Sequence, residues 1–188
     1  MSNPTPLLEL IDVRAGYARP VVGPVSFRIS PGEVLGLKGV NGVGKTTLLK
    51  LLTGEARLFE GSINRPSDLT VAYHRQRPER PPELPLTGRE VLRIAAVGTD
   101  RLPARMAALG HACLDEMSGG EFQLLYAWAC LMGPARLVLL DEPTNNLDQV
   151  AIDLLLVELE QLSAERGVLM VSHDPQFLED TCDRIVSL

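Results

Sequence analysis

Gly39-Val40-Asn41-Gly42-Val43-Gly44-Lys45-Thr46 is the stretch on which the interpretation of this sequence depends. An apolar run at 33–37 precedes it, and residues 47–53 follow it with the pattern of a helix. The glycines allow several backbone amides to turn toward one point at the positive end of that helix, where they can hold phosphate groups. The pattern G-x-x-x-x-G-K-[ST] is matched in full and has a strand before it and a helix after it, which predicts a true nucleotide site.

The residues of this loop have separate expected tasks. Lys45 brings a full positive charge to the β- and γ-phosphates, and Thr46 supplies the hydroxyl expected on Mg²⁺. The other residues expected to contact the nucleotide are Gly39, Asn41, Gly42, Gly44 and Thr47.

Composition limits the classes of protein that this chain can represent. With 188 residues, 45% of them hydrophobic, the chain is long enough for one α/β core but not for two nucleotide domains. The net charge of −6 argues against a surface built to hold nucleic acid, so no direct nucleic-acid contact is expected.

Cysteine usage and hydropathy indicate the cellular setting. The cysteines, Cys113, Cys130 and Cys182, are widely spaced and form no C-x-x-C pair, so neither a disulfide framework nor a zinc site is indicated. A reducing, cytoplasmic location fits this pattern. Residues 1–6 do not resemble a signal peptide, and no apolar run reaches the ~18 residues needed to cross a bilayer. We therefore expect any membrane role to need a partner.

Hydrophobic periodicity and turn residues predict alternating strands and helices, and hence a parallel α/β sheet. Turns are expected at 14–17 and 60–63, and Gly167 is expected to end a helix. Prolines within 77–85 interrupt regular structure before a helical segment at 87–114, which we interpret as a small lobe inserted at about 77–119. Strands are predicted at 7–13, 21–29, 33–37, 69–73, 137–140, 168–171 and 184–188, and helices at 47–53, 120–131, 150–166 and 175–182.

Asp141 and Glu142 follow the apolar run at 137–140 and form the expected second half of a phosphate-loop site. A buried strand can place both carboxylates beside the Mg²⁺ and the γ-phosphate. We expect Asp141 to hold the metal through its hydration shell and Glu142 to polarise the attacking water as a general base.

Ser118-Gly119-Gly120-Glu121 decides between families of phosphate-loop proteins. Together with the preceding motifs, it makes nearly the whole chain resemble the ATP-binding cassette (ABC) ATPases, whose signature sequence it matches. Ser118 also begins a predicted helix, where by itself it would be read as a helix cap. Further matches are Gln76 to the Q-loop glutamine, Asp148 to the D-loop aspartate, His173 to the switch histidine and Tyr17 to the aromatic residue that stacks on adenine.

The resemblance implies a fold, cofactors and an assembly. The fold is a P-loop NTPase core with a parallel sheet, an N-terminal antiparallel β subdomain and a small inserted helical lobe, all within one domain, 1–188. The cofactors are ATP and Mg²⁺, with Thr46, Gln76 and Asp141 at the metal. Two cassettes pair head to tail, most simply as a homodimer, so that each ATP lies between the phosphate loop of one and the signature of the other. The residues implied in hydrolysis are Lys45, Gln76, Glu142 and His173.

In the transporters of this family, membrane permease subunits dock a short helix between the core and the lobe, near Gln76. The resemblance therefore implies a cytoplasmic protein held at the inner face of the membrane by its partners. Stretches at 60–65, 84–87 and 167–174 resemble the ATPase subunits of zinc and manganese uptake systems. That likeness lies in connecting sequence and not in a solute site, because the permease selects the solute.

Two other functions compete with transport. Stretches at 141–148 and 172–178 also resemble the ABC-F translation factors, which usually join two cassettes by a charged linker; this chain has one cassette and an acidic total. A binding module without turnover would require the loss of Lys45, Glu142 or His173, and all three are present.

The chain departs from the family pattern at several positions. Leu124 and Trp128 stand where the family often has arginines, and the approach to Gln76, His74-Arg75, lacks the frequent proline. The sequence ends at Leu188, where relatives usually continue. These departures concern packing and partner contacts, while the hydrolytic residues are intact.

Overall fold

Two β-sheets form the framework of the computed structural model, which describes residues 5–80, 85–100 and 102–188. The central sheet is parallel and runs, from edge to edge, through β5 (Val71–His74), β6 (Leu137–Asp141), β7 (Gly167–Val171), β3 (Val34–Lys38) and β8 (Arg184–Ser187). The second sheet is antiparallel, in the order β2 (Pro20–Ile29), β1 (Leu8–Gly16) and β4 (Arg57–Asn64). The predicted α/β fold with an antiparallel β subdomain is confirmed.

The helices pack around the central sheet. They are α1 (Lys45–Leu52), α2 (Gly88–Ile94), α3 (Ala104–His111), α4 (Gly119–Met132), α5 (Gln149–Glu160) and α6 (Pro175–Thr181). In the part of the chain that the structure describes, no helix combines the length and apolarity needed to cross a membrane.

Strand β6 shows how the sheet separates two cores. All five of its residues are buried, as expected for a parallel strand covered on both faces. Because successive side chains point to opposite faces, Leu137 and Leu139 join one core, with α1 and the antiparallel sheet, while Val138 and Leu140 join the other, with α4 and α5. The sheet is thus the middle of three layers.

The segment between β5 and α4 contains α2, α3 and the 3-10 turn Leu114–Glu116. Thr87 begins α2 with a capping box: its side chain accepts from the backbone N–H of Glu90, whose carboxylate accepts in return. The limits assigned to the inserted lobe, 77–119, remain a prediction, and residues 81–84 in its proline-rich part lie outside the described residues.

Two predicted turns are wrong, because strand pairing extends farther than the local sequence indicates. Residues 14–16 belong to β1, since Ala15 pairs with both neighbouring strands, and the turn begins only at Tyr17. Gly61 lies inside β4 and does not open a turn before it. It has a φ of +84° and lies opposite a bulge in β1, where Asp12 and Val13 face Gly61 alone between the pairs Ile11–Ser62 and Arg14–Glu60.

The predicted helix at 150–166 is also too long. Helix α5 ends at Glu160, and Gly167, expected to stop that helix, is instead the first residue of β7. The Gly167 amide donates to the Arg136 carbonyl oxygen at 2.8 Å, and the Arg166 side chain donates to the Ala135 carbonyl oxygen at 2.8 Å. These tertiary contacts draw the chain out of the helix and into the sheet.

A methyl group added at Gly61 is expected to cost more stability than one added at Gly54. Both glycines have a positive φ, +84° and +81°, so each alanine variant carries a backbone cost of about 1–2 kcal/mol. At Gly61 the new Cβ would also collide with the carbonyl oxygens of Ile11 and Asp12, whereas the space at Gly54 is open. We expect Gly61→Ala to lower the free energy of unfolding in urea by about 1–3 kcal/mol more than Gly54→Ala; equal losses would contradict the close approach of β1 to Gly61.

Candidate functional site

Four segments that follow neighbouring parallel strands meet at one end of the central sheet and surround a cavity of about 520 Å³. They follow β3, β5, β6 and β7, so the carboxyl ends of these strands define the site, as is usual for open α/β sheets. Predicted site residues that line the cavity are Asn41, Gly42, Gly44, Lys45, Thr46, Thr47, Gln76, Asp141, Glu142 and His173; Val21, Asn145 and Val171 line it too and were not predicted.

The phosphate loop closes over the Lys45 side chain. Lys45 Nζ donates to the carbonyl oxygen of Gly39 at 2.6 Å and to that of Val40 at 3.2 Å, although Gly39 itself does not line the cavity. Gly44, which precedes α1, has a φ of +103°, and a Cβ there would collide with the Val22 side chain. The loop therefore places a buried ammonium group and the amides that begin α1 at the same wall of the cavity.

Thr46 and Asp141 lie side by side at the start of α1 and the end of β6. The Thr46 hydroxyl donates to Asp141 Oδ1 at 3.3 Å, and the Tyr73 hydroxyl donates to Asp141 Oδ2, also at 3.3 Å. Burial raises the pKa of Asp141, and these two hydrogen bonds act in the opposite direction. A hydroxyl beside a carboxylate fits Mg²⁺, which usually takes one or two protein oxygens together with substrate phosphates.

The described residues contain no cluster of three or more His, Cys, Asp or Glu side chains that could enclose a metal ion. A cation at Thr46 and Asp141 would therefore depend on a bound phosphate for its remaining ligands.

Glu142 is fixed against His173 across the cavity wall. Its Oε2 accepts from the His173 backbone N–H at 3.0 Å and lies 2.7 Å from His173 Nδ1. The Glu142 backbone has a φ of +51°, an uncommon conformation. It is held by a hydrogen bond that the Glu142 backbone N–H donates to the Val171 carbonyl oxygen at 2.8 Å. The carboxylate is therefore oriented by the loop after β7 as well as by its own strand.

The predicted signature residues lie away from this cavity. Ser118 caps α4, because its Oγ accepts from the Glu121 backbone N–H at 3.2 Å. In return, the Glu121 carboxylate accepts from the Ser118 backbone N–H at 2.8 Å. This second hydrogen bond is the main cause that lowers the pKa of Glu121. Gly119 and Gly120 form the first turn of this helix. One copy of the chain does not bring these residues to its own phosphate loop.

Asp148 is also outside the cavity and is engaged elsewhere. Its carboxylate receives two hydrogen bonds from the Arg105 guanidinium, at 2.9 and 2.8 Å, and caps α5 by accepting from the Ala151 N–H at 2.9 Å. These contacts lower its pKa, the Arg105 hydrogen bond most of all. Nearby, a Cβ at Gly120 would collide with the Asn146 carbonyl oxygen. The loop after β6 is thus held against both α3 and α4.

Tyr17 lies in the turn after β1, is 45% exposed, and is not among the residues that line the cavity. Val21, at the start of the next strand, lines the cavity. The role of Tyr17 in adenine stacking remains a prediction.

Three polar residues next to the site were not assigned from the sequence: Tyr73, His74 and Gln123. Gln123 is buried and its Nε2 donates to the Glu142 carbonyl oxygen at 3.4 Å. His74 is 1% exposed, and neither ring nitrogen has a hydrogen-bond partner in the described part of the chain. Burial lowers the pKa of His74 to about 4, although the nearby Gln123 backbone opposes this shift. The sequence signal that could have indicated His74 is the place of a histidine at the end of an apolar strand, two residues before Gln76.

Comparison with known proteins agrees with this geometry. A family model described as ABC transporter matches residues 22–145. The zinc import ATP-binding protein ZnuC of Paracoccus denitrificans is 35% identical across 98% of this chain and 76% of its own length. The chain belongs to the ABC transporter family. It is an ATPase of the nucleotide-binding subunit type.

Solved structures of other ABC proteins share the fold. The structure of an ATP-binding subunit of an ABC transporter superimposes with a TM-score of 0.83 at 30% identity, covering 97% of this chain and 85% of that chain. A chain in the complex of the archaeal ribosomal stalk protein aP1 with the ribosome recycling factor aABCE1 reaches a TM-score of 0.83 at 28% identity, but only 38% of that chain is covered.

The two positions on α4 at which this ABC ATPase departs from the family pattern lie in the protein interior. Leu124 and Trp128 are 0% and 2% exposed and belong to the core between the central sheet and the helices. Where the family pattern often has arginines, apolar side chains here pack inside the cassette, so these two positions do not form a contact surface.

Replacing His74 with valine is expected to weaken the dependence of stability on pH. The folded pKa of about 4 lies below the ordinary value of 6.5, so the unfolded chain binds a proton between these values and the folded chain does not. The stability associated with neutral His74 is complete above pH 6.5 and is lost as the pH falls toward 4. From pH 7 to pH 5 this group should cost about 2 kcal/mol.

Urea denaturation of wild type and His74→Val at pH 7 and pH 5 measures this difference. His111→Gln is the control, because His111 is exposed at the end of α3. A His74→Val protein that loses as much stability as wild type over this range would show that the buried histidine does not titrate as its environment implies.

Proposed function

We propose that this chain hydrolyses ATP in a dimer of two copies and thereby drives a membrane transporter for a divalent metal ion, with zinc as the first candidate. The observation that carries the proposal is an incomplete site. Lys45, Thr46, Asp141, Glu142 and His173 meet in one cavity, while the signature residues at the start of α4 lie elsewhere on the same chain. A second copy placed head to tail would supply them.

The reaction that this geometry supports is in-line attack of water on the γ-phosphate. Both contacts of Glu142 with His173 use Oε2, so Oε1 is the atom that we assign to orienting the water and receiving its proton. Lys45 and the loop amides hold the developing phosphate charge, together with Ser118 of the second copy. Bound Mg²⁺, held by Thr46 and Asp141 and contacted by Gln76, would neutralise charge on the phosphate oxygens.

Asp148, and the α4 cap formed by Ser118, Gly119, Gly120 and Glu121, are proposed to face the nucleotide of the opposite copy. The amides of the first turn of a 14-residue helix make this surface attractive to an anion. The Ser118 hydroxyl already accepts a hydrogen bond inside its own helix, which leaves its hydrogen free to donate to a γ-phosphate oxygen. ATP would then form much of the interface between the copies.

Glu142→Gln is expected to trap the closed dimer. The amide keeps the size of the side chain but cannot take a proton from water, so ATP should bind and persist. Size-exclusion chromatography with light scattering should show a monomer without nucleotide and a dimer with Mg-ATP. The double variant with Ser118→Arg is the control and should stay monomeric, because a large cation replaces the small donor at the interface. If Glu142→Gln alone stayed monomeric both with and without Mg-ATP, the homodimer would be excluded.

Mixing two inactive variants provides a direct test of shared sites. Lys45→Ala lacks a working phosphate loop and Ser118→Arg lacks a working signature, so each alone should have less than about 1% of wild-type ATPase activity. A mixed dimer contains one site with both halves intact, and mixing should restore up to roughly a quarter of the activity. No recovery on mixing would mean that each copy hydrolyses ATP with its own residues.

A membrane subunit is the partner that we propose for an apolar groove between α2, α4 and β5. The groove has a volume of about 590 Å³, and its walls include Leu86, Val91, Ala129 and Pro134. Ile94 stands at its edge with 75% of its surface exposed. A short apolar helix of a permease fits such a surface, and the family resemblance implies the same occupant. The chain would thus be held at the cytoplasmic face of the membrane.

The proposed solute follows from the relatives and not from a site in this chain. The Paracoccus denitrificans protein is named for zinc import. In such systems the solute is selected in the membrane subunit, so the metal is cargo of the assembly and is not a ligand of the cassette.

Purification of the tagged chain from detergent-solubilised membranes of its own host tests the partner. We expect a protein with several membrane spans to co-purify, identified by mass spectrometry, and to be lost with Ile94→Glu. Val157→Glu is the matched control, because Val157 is an exposed aliphatic residue on α5, away from the groove. Ribosomal proteins in place of a membrane subunit would favour the second candidate, an ABC-F-like ATPase that acts on the ribosome.

A further inference from the structure

Tyr73 belongs to two sites at once. Its hydroxyl donates to Asp141 Oδ2 at 3.3 Å, inside the nucleotide site, while its residue forms part of the wall of the apolar groove. Gln76, three residues later, lines the cavity but does not line the groove. A single half-buried side chain therefore joins the proposed partner surface to the carboxylate that is expected to hold the metal.

The two oxygens of Asp141 are occupied by different partners. Oδ1 accepts from Thr46, the hydroxyl of the phosphate loop, and Oδ2 accepts from Tyr73, on the neighbouring strand. The Tyr73 phenol is the donor in its contact, because a carboxylate oxygen accepts. Tyr73 thus fixes the rotation of a carboxylate whose other oxygen contacts the phosphate loop.

The ring of Tyr73 also contacts an arginine. The Arg75 guanidinium carbon lies 5.4 Å from the ring centroid, and Arg75 pairs with Glu55 at 2.9 Å. Glu55 accepts from the hydroxyl of Thr53, the residue that ends α1. These contacts form a continuous chain that starts in the first turn of α1, passes through Asp141 and Tyr73, and returns to the C-terminal end of α1.

We propose that Tyr73 is a positioning residue for Asp141 and the contact through which an occupant of the groove acts on the Mg²⁺ site. The second half of this statement rests on the proposed function, because it needs a partner in the groove. A helix seated against the ring would move the phenol along the groove wall, and the 3.3 Å contact with Oδ2 would change with it. The affinity for Mg²⁺ would change accordingly, without any movement of the phosphate loop.

Tyr73→Phe tests the first half in the isolated chain. The ring and its packing are kept and only the hydroxyl is lost. We expect the free Mg²⁺ concentration that half-saturates mant-ATP binding to rise by about tenfold, because a hydrogen bond to a charged group is removed. Binding of mant-ATP in EDTA should be unchanged. Equal Mg²⁺ dependence in the variant and the wild type would overturn the proposal, and so would an equal loss with and without Mg²⁺.

Tyr126→Phe is the matched control. Tyr126 is a half-buried tyrosine on α4 that packs on Phe122 with ring centroids 4.6 Å apart, and its hydroxyl donates no hydrogen bond to any described residue. Removing this hydroxyl should leave the Mg²⁺ dependence as in wild type. A tenfold change here as well would show that the titration reports general loosening of the core.

A fluorine signal gives a readout that is independent of affinity. The three tyrosines can be replaced with 3-fluorotyrosine, and the Tyr73 resonance is the one that Tyr73→Phe removes. Adding Mg²⁺ to the ATP-bound protein should shift this resonance, because the phenol contacts the carboxylate that meets the metal. A resonance that stays in place would overturn the contact.

The complex with the membrane subunit tests the second half. Half-saturating Mg²⁺ should differ between the isolated wild-type chain and the complex, and this difference should vanish in Tyr73→Phe. An equal difference in both would overturn the groove link. If no membrane subunit is recovered, the proposed function and the groove link fail together, while the role of Tyr73 at Asp141 is decided by the isolated chain alone.

Discussion

The parallel pairing of β6, β7 and β3 is the constraint on which the rest of the structure depends. In this register Asp141 pairs with Val171, and Val171 pairs with Leu37, so the three strands end at one level. Because neighbouring strands are about 4.8 Å apart, the loops that follow them start within roughly 10 Å of one another. The phosphate loop, the acidic pair and His173 meet for this reason, although Thr46 and His173 are 127 positions apart.

The charges at this end of the sheet favour a cation as well as an anion. Asp141 and Glu142 are both almost fully buried, and the charge of Glu142 contributes to the raised pKa of Asp141. Lys45 is the buried positive group beside them and is engaged by loop carbonyl oxygens. A divalent cation reduces the repulsion between two adjacent buried carboxylates. A nucleotide phosphate would supply the metal-ligand oxygens that the protein does not. The site therefore fits the metal and the phosphate as a pair.

Local sequence predicted the features that local physics controls. The phosphate loop, the buried strand before Asp141 and the cap at Ser118 each follow from residue types at short spacing, and each lies where it was expected. The place of Gly61 opposite the β1 bulge and the early end of α5 depend on pairing with distant strands, which short-range patterns do not contain. The partners of Asp148 and of Asp141 Oδ2 come from residues 43 and 68 positions away. Such pairings become visible only once the strands and helices have been placed.

The close approach of Gly120 to Asn146 and the double hydrogen bond between Arg105 and Asp148 have a mechanical consequence. Both join the helices that precede and contain the signature to the short loop that begins at Glu142. That loop contains two left-handed residues, with φ values of +51° at Glu142 and +61° at Asn146, and therefore has few alternative conformations to absorb a displacement. A displacement of these helices would consequently reach the Glu142 carboxylate through a connection within the same chain.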